Sequence, residues 1–281
     1  MREALTHPRH VSSASRTGHQ AAPRDGKAPR GVIYAIVNQK GGVGKTTTAV
    51  NIAACLAEAG RRVLLVDVDP QANATSGLGL SVGEGLSTAD VVLDGAAPSD
   101  AVRPTAIGGL DILPSHPDLA GATVTLPGAA RREHVLADAL RPLAAAYDYV
   151  FLDCPPSLDL LTVNALVASD RVLVPVQCEY YALEGLSRLM TTVAGVRDHL
   201  NPGLRVGGLL MTMHDARTRV SGDVVTEVRR HFPELTFHTV VPRNVRLAEA
   251  PSHGEPVISY DPHCAGADAY FEVAKEVASR G

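Results

Sequence analysis

The chain has 281 residues, 45% of them hydrophobic and 20% charged, with a formal net charge of -4; this suits one large or two small globular domains and excludes disorder throughout. The richest apolar run, Arg171 to Cys178, breaks within eight residues, which excludes a membrane-spanning helix. Cys55, Cys154, Cys178 and Cys264 lie far apart with no CxxC pair, and the eleven histidines form no HExxH-like cluster, so reduced core thiols are expected in a reducing compartment, without disulfides or a metal centre built on them.

The average charge hides a division. Residues 1–30 hold six Lys/Arg against two Asp/Glu, a local +4, while the rest of the chain carries -8. This opening segment is rich in Arg, Ser, His and Pro, with few large apolar side chains to offset the entropy of ordering. It reads as a disordered basic N-terminal tail, and the alternatives are an arm that adds phosphate contacts or a transit-peptide-like segment. From Gly31 to Gly281, β-branched runs alternate with helical patterns. That alternation predicts a single α/β domain with a mostly parallel twisted sheet flanked by helices on both faces.

The first strand is predicted over Val32 to Val37, and Asn38-Gln39-Lys40-Gly41-Gly42-Val43-Gly44-Lys45-Thr46-Thr47 follows it directly. A helix is predicted from Thr46 to Ala59. A strand, a glycine-rich turn and a helix N-terminus aim successive N–H groups and the positive end of the helix dipole at one point, so the segment binds polyphosphate. Lys45 is expected to reach the β- and γ-phosphates and the Thr46 hydroxyl to ligate magnesium. The usual GxxxxGK[ST] pattern fails at its first position, where Gln39 stands, and Lys40 is gained beside it. The chain has 22 Arg but four Lys, and Lys40 and Lys45 are the two between Lys27 and Lys275. A compact ammonium is therefore expected to be required at both positions, as in a narrow phosphate cradle.

The second strand, Val63 to Val66, runs into Asp67-Val68-Asp69-Pro70. The i, i+2 spacing is expected to put both carboxylates on one face, where one orients an attacking water and another holds magnesium. Residues 72–125, rich in Gly, Ala and Ser, are hard to read beyond a strand at Leu110 to Leu113. A helix over Arg131 to Ala146 precedes the strand Tyr149 to Leu152, which ends in Asp153-Cys154-Pro155-Pro156-Ser157 and resembles a Walker B segment, with Asp153 facing magnesium from the carboxyl edge of the sheet. Helices over Leu158 to Ala168, Leu183 to Leu200, Ser221 to His231 and Ala265 to Ser279 alternate with strands over Val172 to Val176, Leu204 to Met211 and Thr236 to Val241. The stretch 217–246 sets six arginines against three acids, Asp223, Glu227 and Glu234, a basic patch on an acidic body.

KGGVGKTT with a second lysine ahead of the glycines resembles the deviant Walker A group of P-loop ATPases, the family of ParA/Soj and MinD. Similarity to its chromosome-partitioning branch covers about 90% of the chain, through DVDPQANATSGLG, VPVQCEYYALEGLS, VPRNVRLAEAPSHGEPVISYDP and the terminal AKEVASRG. The resemblance implies a weak magnesium-dependent ATPase, with ATP and Mg²⁺ as cofactors, that forms an ATP-sandwich dimer. Lys40 would cross to the partner's phosphates, Asp69 would position the hydrolytic water, and Asp67 would support the magnesium region. Thr212, Met213, Pro242 and Arg243 would line the adenine. Arg217 and Arg246 would contact DNA phosphates without reading sequence, and a ParB-like centromere-binding protein would stimulate hydrolysis on a bacterial nucleoid in the cytoplasm. A MinD-like positioning ATPase acting on a membrane or protein cargo is the nearest rival, and membrane docking is disfavoured because Ala269 to Arg280 holds as many acids as bases and so makes a poor anchor. An iron-sulfur carrier would need paired cysteines. A non-hydrolysing DNA-binding regulator is weakened by Lys45 and Asp69 both being present.

Overall fold

The computed structural model describes residues 31–280 apart from 129 and 181; the basic tail read over 1–30 lies outside the described residues. Eight strands form one sheet: β1 (Val32–Ile36), β2 (Val63–Asp67), β3 (Arg103–Pro104), β4 (Leu110–Leu113), β5 (Tyr149–Asp153), β6 (Arg171–Gln177), β7 (Arg205–His214) and β8 (Thr236–Pro242). Their order across the sheet is β3-β4-β2-β5-β1-β6-β7-β8. Only the two-residue β3 runs antiparallel, beside β4; the other pairings are parallel.

Strand residues alternate between two apolar layers, as pleating requires. Ile33, Ala35, Leu64, Val66, Val150 and Leu152 belong to one core, and Tyr34, Ile36, Val63, Leu65 and Phe151 to the other. Because both faces are covered, the strands read in sequence as continuous apolar runs. The first layer is closed by α5 (Val135–Leu143), α6 (Leu160–Ala168), α7 (Ala182–His199) and α8 (Arg219–His231). The second is closed by α1 (Lys45–Glu58) and α11 (Ala265–Arg280). The remaining short helices are α2 (Asn73–Gly77), α3 (Pro98–Ala101), α4 (Ala122–Thr125), α9 (Val245–Glu249) and α10 (Val257–Tyr260).

Several boundaries differ from the sequence reading for local reasons. The helix expected from Leu158 starts at Leu160 because the Asp159 carboxylate accepts from the N–H groups of Leu161 and Thr162 and caps it there. The one expected from Arg131 starts four residues later, after a turn in which Arg131 takes a left-handed φ of 57°. The strand expected to end at Met211 runs on to His214, and Met213 takes a left-handed φ of 52°. The chain between β2 and β4 holds two short helices and a π-helical turn over Asp90–Asp94, too brief to leave a periodic pattern.

At the sheet edge, α11 covers β8 with charged side chains. The Glu276 carboxylate accepts from His238 N and Thr239 N, both at 2.8 Å. Arg280 donates to the carbonyls of Leu235 and Thr236 at 3.1 Å and lies 4.3 Å above the Phe237 ring.

Candidate nucleotide site

The carboxyl ends of β1, β2 and β5 meet at one edge of the sheet. Register puts Asp153 directly beside Ile36 on one side and Asp67 on the other. β1 feeds the glycine loop and then α1. Gly42 (φ 73°) and Gly44 (φ 89°) are left-handed, and a Cβ at Gly42 would meet no protein atom within 4 Å. Glycine there serves the turn and leaves the approach open to a ligand. Gly44 is the N-cap of α1, with no side-chain cap and no acid in the first turn. The first N–H groups of the helix thus point outward without a protein partner, as an anion site requires.

Lys45, only 7% exposed, donates from Nζ to the Lys40 carbonyl at 3.3 Å. Burial pulls its pKa down, opposed by the carboxylates of Asp153 and Asp69. The loop is held from behind by Thr212, whose hydroxyl donates to the Val43 carbonyl at 2.8 Å. Asn51 ties α1 to the C-terminal segment: its amide donates to Thr47 O and its oxygen accepts from Val257 N at 2.7 Å. Thr48 and Tyr270 share a hydroxyl hydrogen bond of 3.1 Å.

A cavity of about 600 Å³ opens over this edge. Of the residues read from the sequence, Gly41, Gly42, Gly44, Lys45, Thr46, Thr47, Asp69, Thr212, Met213, Pro242 and Arg243 line it. Val43 is 1% exposed and does not line it, so only its backbone is available to a ligand. The sequence reading missed a wall formed by Asn51, Leu247, Pro251, Glu255 and Tyr270, and also Gln71 and Asn73. Gln71 and Asn73 stood within the quoted DVDPQANATSGLG run and Leu247, Pro251 and Glu255 within VPRNVRLAEAPSHGEPVISYDP, while Asn51 and Tyr270 come from helices that only the fold brings to the same wall.

The two aspartates at the end of β2, Asp67 and Asp69, diverge rather than sharing a face. The strand ends at Asp67, so period-two spacing no longer applies at Asp69. Asp67 is fully buried and accepts from Thr75 N (2.9 Å), Thr75 Oγ1 (2.8 Å) and Asp69 N (3.2 Å). Asp69 faces the cavity and accepts from Gln71 N at 3.0 Å. Asp153 is also fully buried, yet neither of its carboxylate oxygens has a hydrogen-bond partner. Burial, and then the charge of Asp67, push its pKa up, while Thr46 and Lys45 oppose the shift; burial likewise raises Asp67. An unpartnered buried carboxylate beside a threonine hydroxyl is a donor set suited to a hard cation such as magnesium.

Lys40 is placed differently. Its side chain is half exposed, outside the cavity lining, and ion-pairs with Glu179, which also accepts from Gln177 Nε2. Arg217 and Arg246 also lie outside the cavity, on the surface. All four cysteines are free, with Cys55, Cys154 and Cys178 buried, and burial raises the pKa of each of these three. Among the described residues no helix is long and apolar enough to cross a membrane.

A family model described as an AAA domain matches residues 31–206. The sporulation initiation inhibitor protein Soj of Bacillus subtilis is 54% identical to this chain, over 89% of the chain and 100% of that protein. The chain belongs to the Soj/ParA family of chromosome-partitioning ATPases. The chromosome partitioning protein ParA of Myxococcus xanthus is 52% identical, over 91% of this Soj/ParA-family chain and 90% of its own length. A solved structure described as cobyrinic acid a,c-diamide synthase from Mycobacterium smegmatis, with bound ATP analog and magnesium, matches with a TM-score of 0.76 at 40% identity, covering 87% of this chain and 93% of its own. That protein is named for a different reaction, so its likeness bears on the fold and the nucleotide edge.

Proposed function

We propose that this Soj/ParA-family chain is a slow magnesium-dependent ATPase whose ATP-bound form pairs with a second copy, binds double-stranded DNA without reading sequence, and leaves it on hydrolysis, so as to segregate a replicated chromosome or plasmid. The observation that carries the nucleotide part is the uncapped N-terminus of α1 facing the cavity, with Lys45 buried beside it. Backbone N–H groups of the loop and α1, with Lys45, bind the phosphates of ATP; Met213, Pro242 and Arg243 line the wall assigned to the base. Thr46 and Asp153 would hold magnesium, which when bound neutralises phosphate charge, and Asp67, fixed by Thr75, supports the cation from behind.

Asp69 orients the attacking water. The water oxygen forms the new bond to the γ-phosphorus as the bond to the β–γ bridging oxygen breaks; ADP leaves with that electron pair, and the water's proton ends on the released phosphate. Lys40 stands outside its own cavity, which suits a group that works on a second copy's nucleotide. Slow turnover follows if the charge developing in the transition state is fully met only with a partner present, and a ParB-like centromere-binding protein is the partner proposed. Arg217 and Arg246 supply phosphate contacts.

The deciding experiment is retention of mixed-sequence duplex DNA across a salt series, with ATP, ADP or no nucleotide. Binding only with ATP and Mg²⁺, falling steeply and linearly on log–log axes, is expected. Binding indifferent to nucleotide would overturn the reading.

A further inference from the structure

The two arginines assigned to DNA already hold carboxylates. Arg217, on the turn between β7 and α8, grips Asp215 along one edge of its guanidinium: Nε donates to Oδ1 at 2.9 Å and Nη2 to Oδ2 at 2.7 Å. Arg246, on α9, donates from Nη1 to Glu249 at 2.8 Å, and its Nε lies 3.2 Å from the Asp261 carboxylate. A carboxylate on two parallel guanidinium donors takes the geometry that a DNA phosphate would take. The pairing is not confined to these two, since Arg230 Nη1 lies 3.7 Å from the Glu227 carboxylate. Arg219, also exposed and two residues past Arg217, forms no ion pair among the described residues.

The acids have further partners that hold them in place, backbone for Asp215 and a side chain for Glu249. Asp215 Oδ1 also accepts from Arg217 N at 3.0 Å, and its carbonyl accepts from Thr218 N at 3.0 Å. Glu249 receives a second donor from Tyr260 Oη at 3.3 Å. Neither acid diffuses away when a phosphate arrives, so each competes for its arginine and then repels the phosphate that has displaced it.

We propose that Asp215, Glu249 and Asp261 are built-in competitors for DNA phosphate, which hold the affinity of each arginine down so that one copy alone stays off DNA. This rests on the DNA-binding reading above and adds its regulation. An exposed pair of this kind is modest in strength, so each carboxylate is expected to weaken DNA binding by about twofold to fivefold. A modest weakening at each contact is multiplied over several contacts, which makes binding depend on how many arginines two copies present together.

The test uses the full chain with ATP, Mg²⁺ and mixed-sequence duplex DNA. Asp215→Asn keeps an oxygen for Arg217 N, so the turn is preserved while the charge is removed. Asp215→Asn and, independently, Asp261→Asn should each tighten DNA binding by about twofold to fivefold, most at low salt. In an Arg217→Ala background the Asp215→Asn gain should shrink to the size of the general charge effect, as coupling within a pair demands. Asp223→Asn, which neutralises an exposed acid on α8 in the same stretch, should give a smaller gain that persists in that background. Unchanged affinity in both Asp→Asn variants, or an Asp215→Asn gain as large without Arg217 as with it, would overturn the masking while leaving the DNA face in place. If Arg217→Ala and Arg246→Ala both bind as the unaltered chain does, the DNA assignment itself fails and the masking with it.

Discussion

Lys40 Nζ is ion-paired to Glu179 of the same chain, so the ammonium assigned to a second copy's phosphates is held at home. Both side chains are about half exposed, at 54% and 49%, a setting in which such a pair is worth little and exchanges readily. Glu179→Gln should therefore lower the ATP concentration at which dimers form, by about twofold to fivefold. Lys40→Ala should form none at any ATP concentration. Light scattering against an ATP titration checks both, and an unmoved midpoint in Glu179→Gln removes any role for the pair.

Lys45 is enclosed where Lys40 is open. A guanidinium is wider than an ammonium and brings five donors in a rigid plane, so Lys45→Arg should lose ATP binding nearly as fully as Lys45→Ala. Phosphate release is expected to fall by about a hundredfold or more in both. Arg at 45 working at normal turnover would show that the loop is roomier than its burial implies.

Asp69→Ala should retain ATP while phosphate release drops by about 10²- to 10⁴-fold, the range for losing a group that manages the attacking water. Retained nucleotide would keep dimers on DNA, so dwell time should lengthen as turnover falls. Rapid hydrolysis with short dwell would move the role to another residue.

Asn51→Ala should destabilise the fold without touching a phosphate contact. It strips the buried Val257 N–H of its acceptor and Thr47 O of a donor, a loss of about 1–3 kcal/mol. Urea unfolding measures it, and ATP saturation should recover part of it by mass action. A change within error would mean that the segment around Val257 finds another acceptor.

The seven strands expected from the sequence all form, because a sheet covered on both faces leaves uninterrupted apolar runs. The phosphate loop was equally readable, since strand, glycines and helix N-terminus are contiguous. The opposite wall of the cavity was not: Asn51, Leu247, Pro251 and Tyr270 look like ordinary packing residues until α1, α9 and α11 converge. Residues 72–125 resisted because π-helical and 3₁₀ turns carry no long period. Asp67 and Asp69 looked alike by spacing, yet strand β2 stops between them and sends one to Thr75 and the other to the cavity. Of the acids on the arginines, Asp215 lay within reach of sequence reasoning, since an Asp two residues before an Arg forms such turns readily; Asp261 reaches Arg246 only through the fold.

The charged cover over β8 bears on crowding. An open ladder of N–H and C=O groups templates fibre growth; here Glu276 and Arg280 occupy that ladder at one margin, and the opposite margin is a two-residue strand carrying Pro104. Copies crowded along one polymer, as the proposed function requires, would therefore meet no open strand edge among the described residues, and a dense coat of them would stay dispersible.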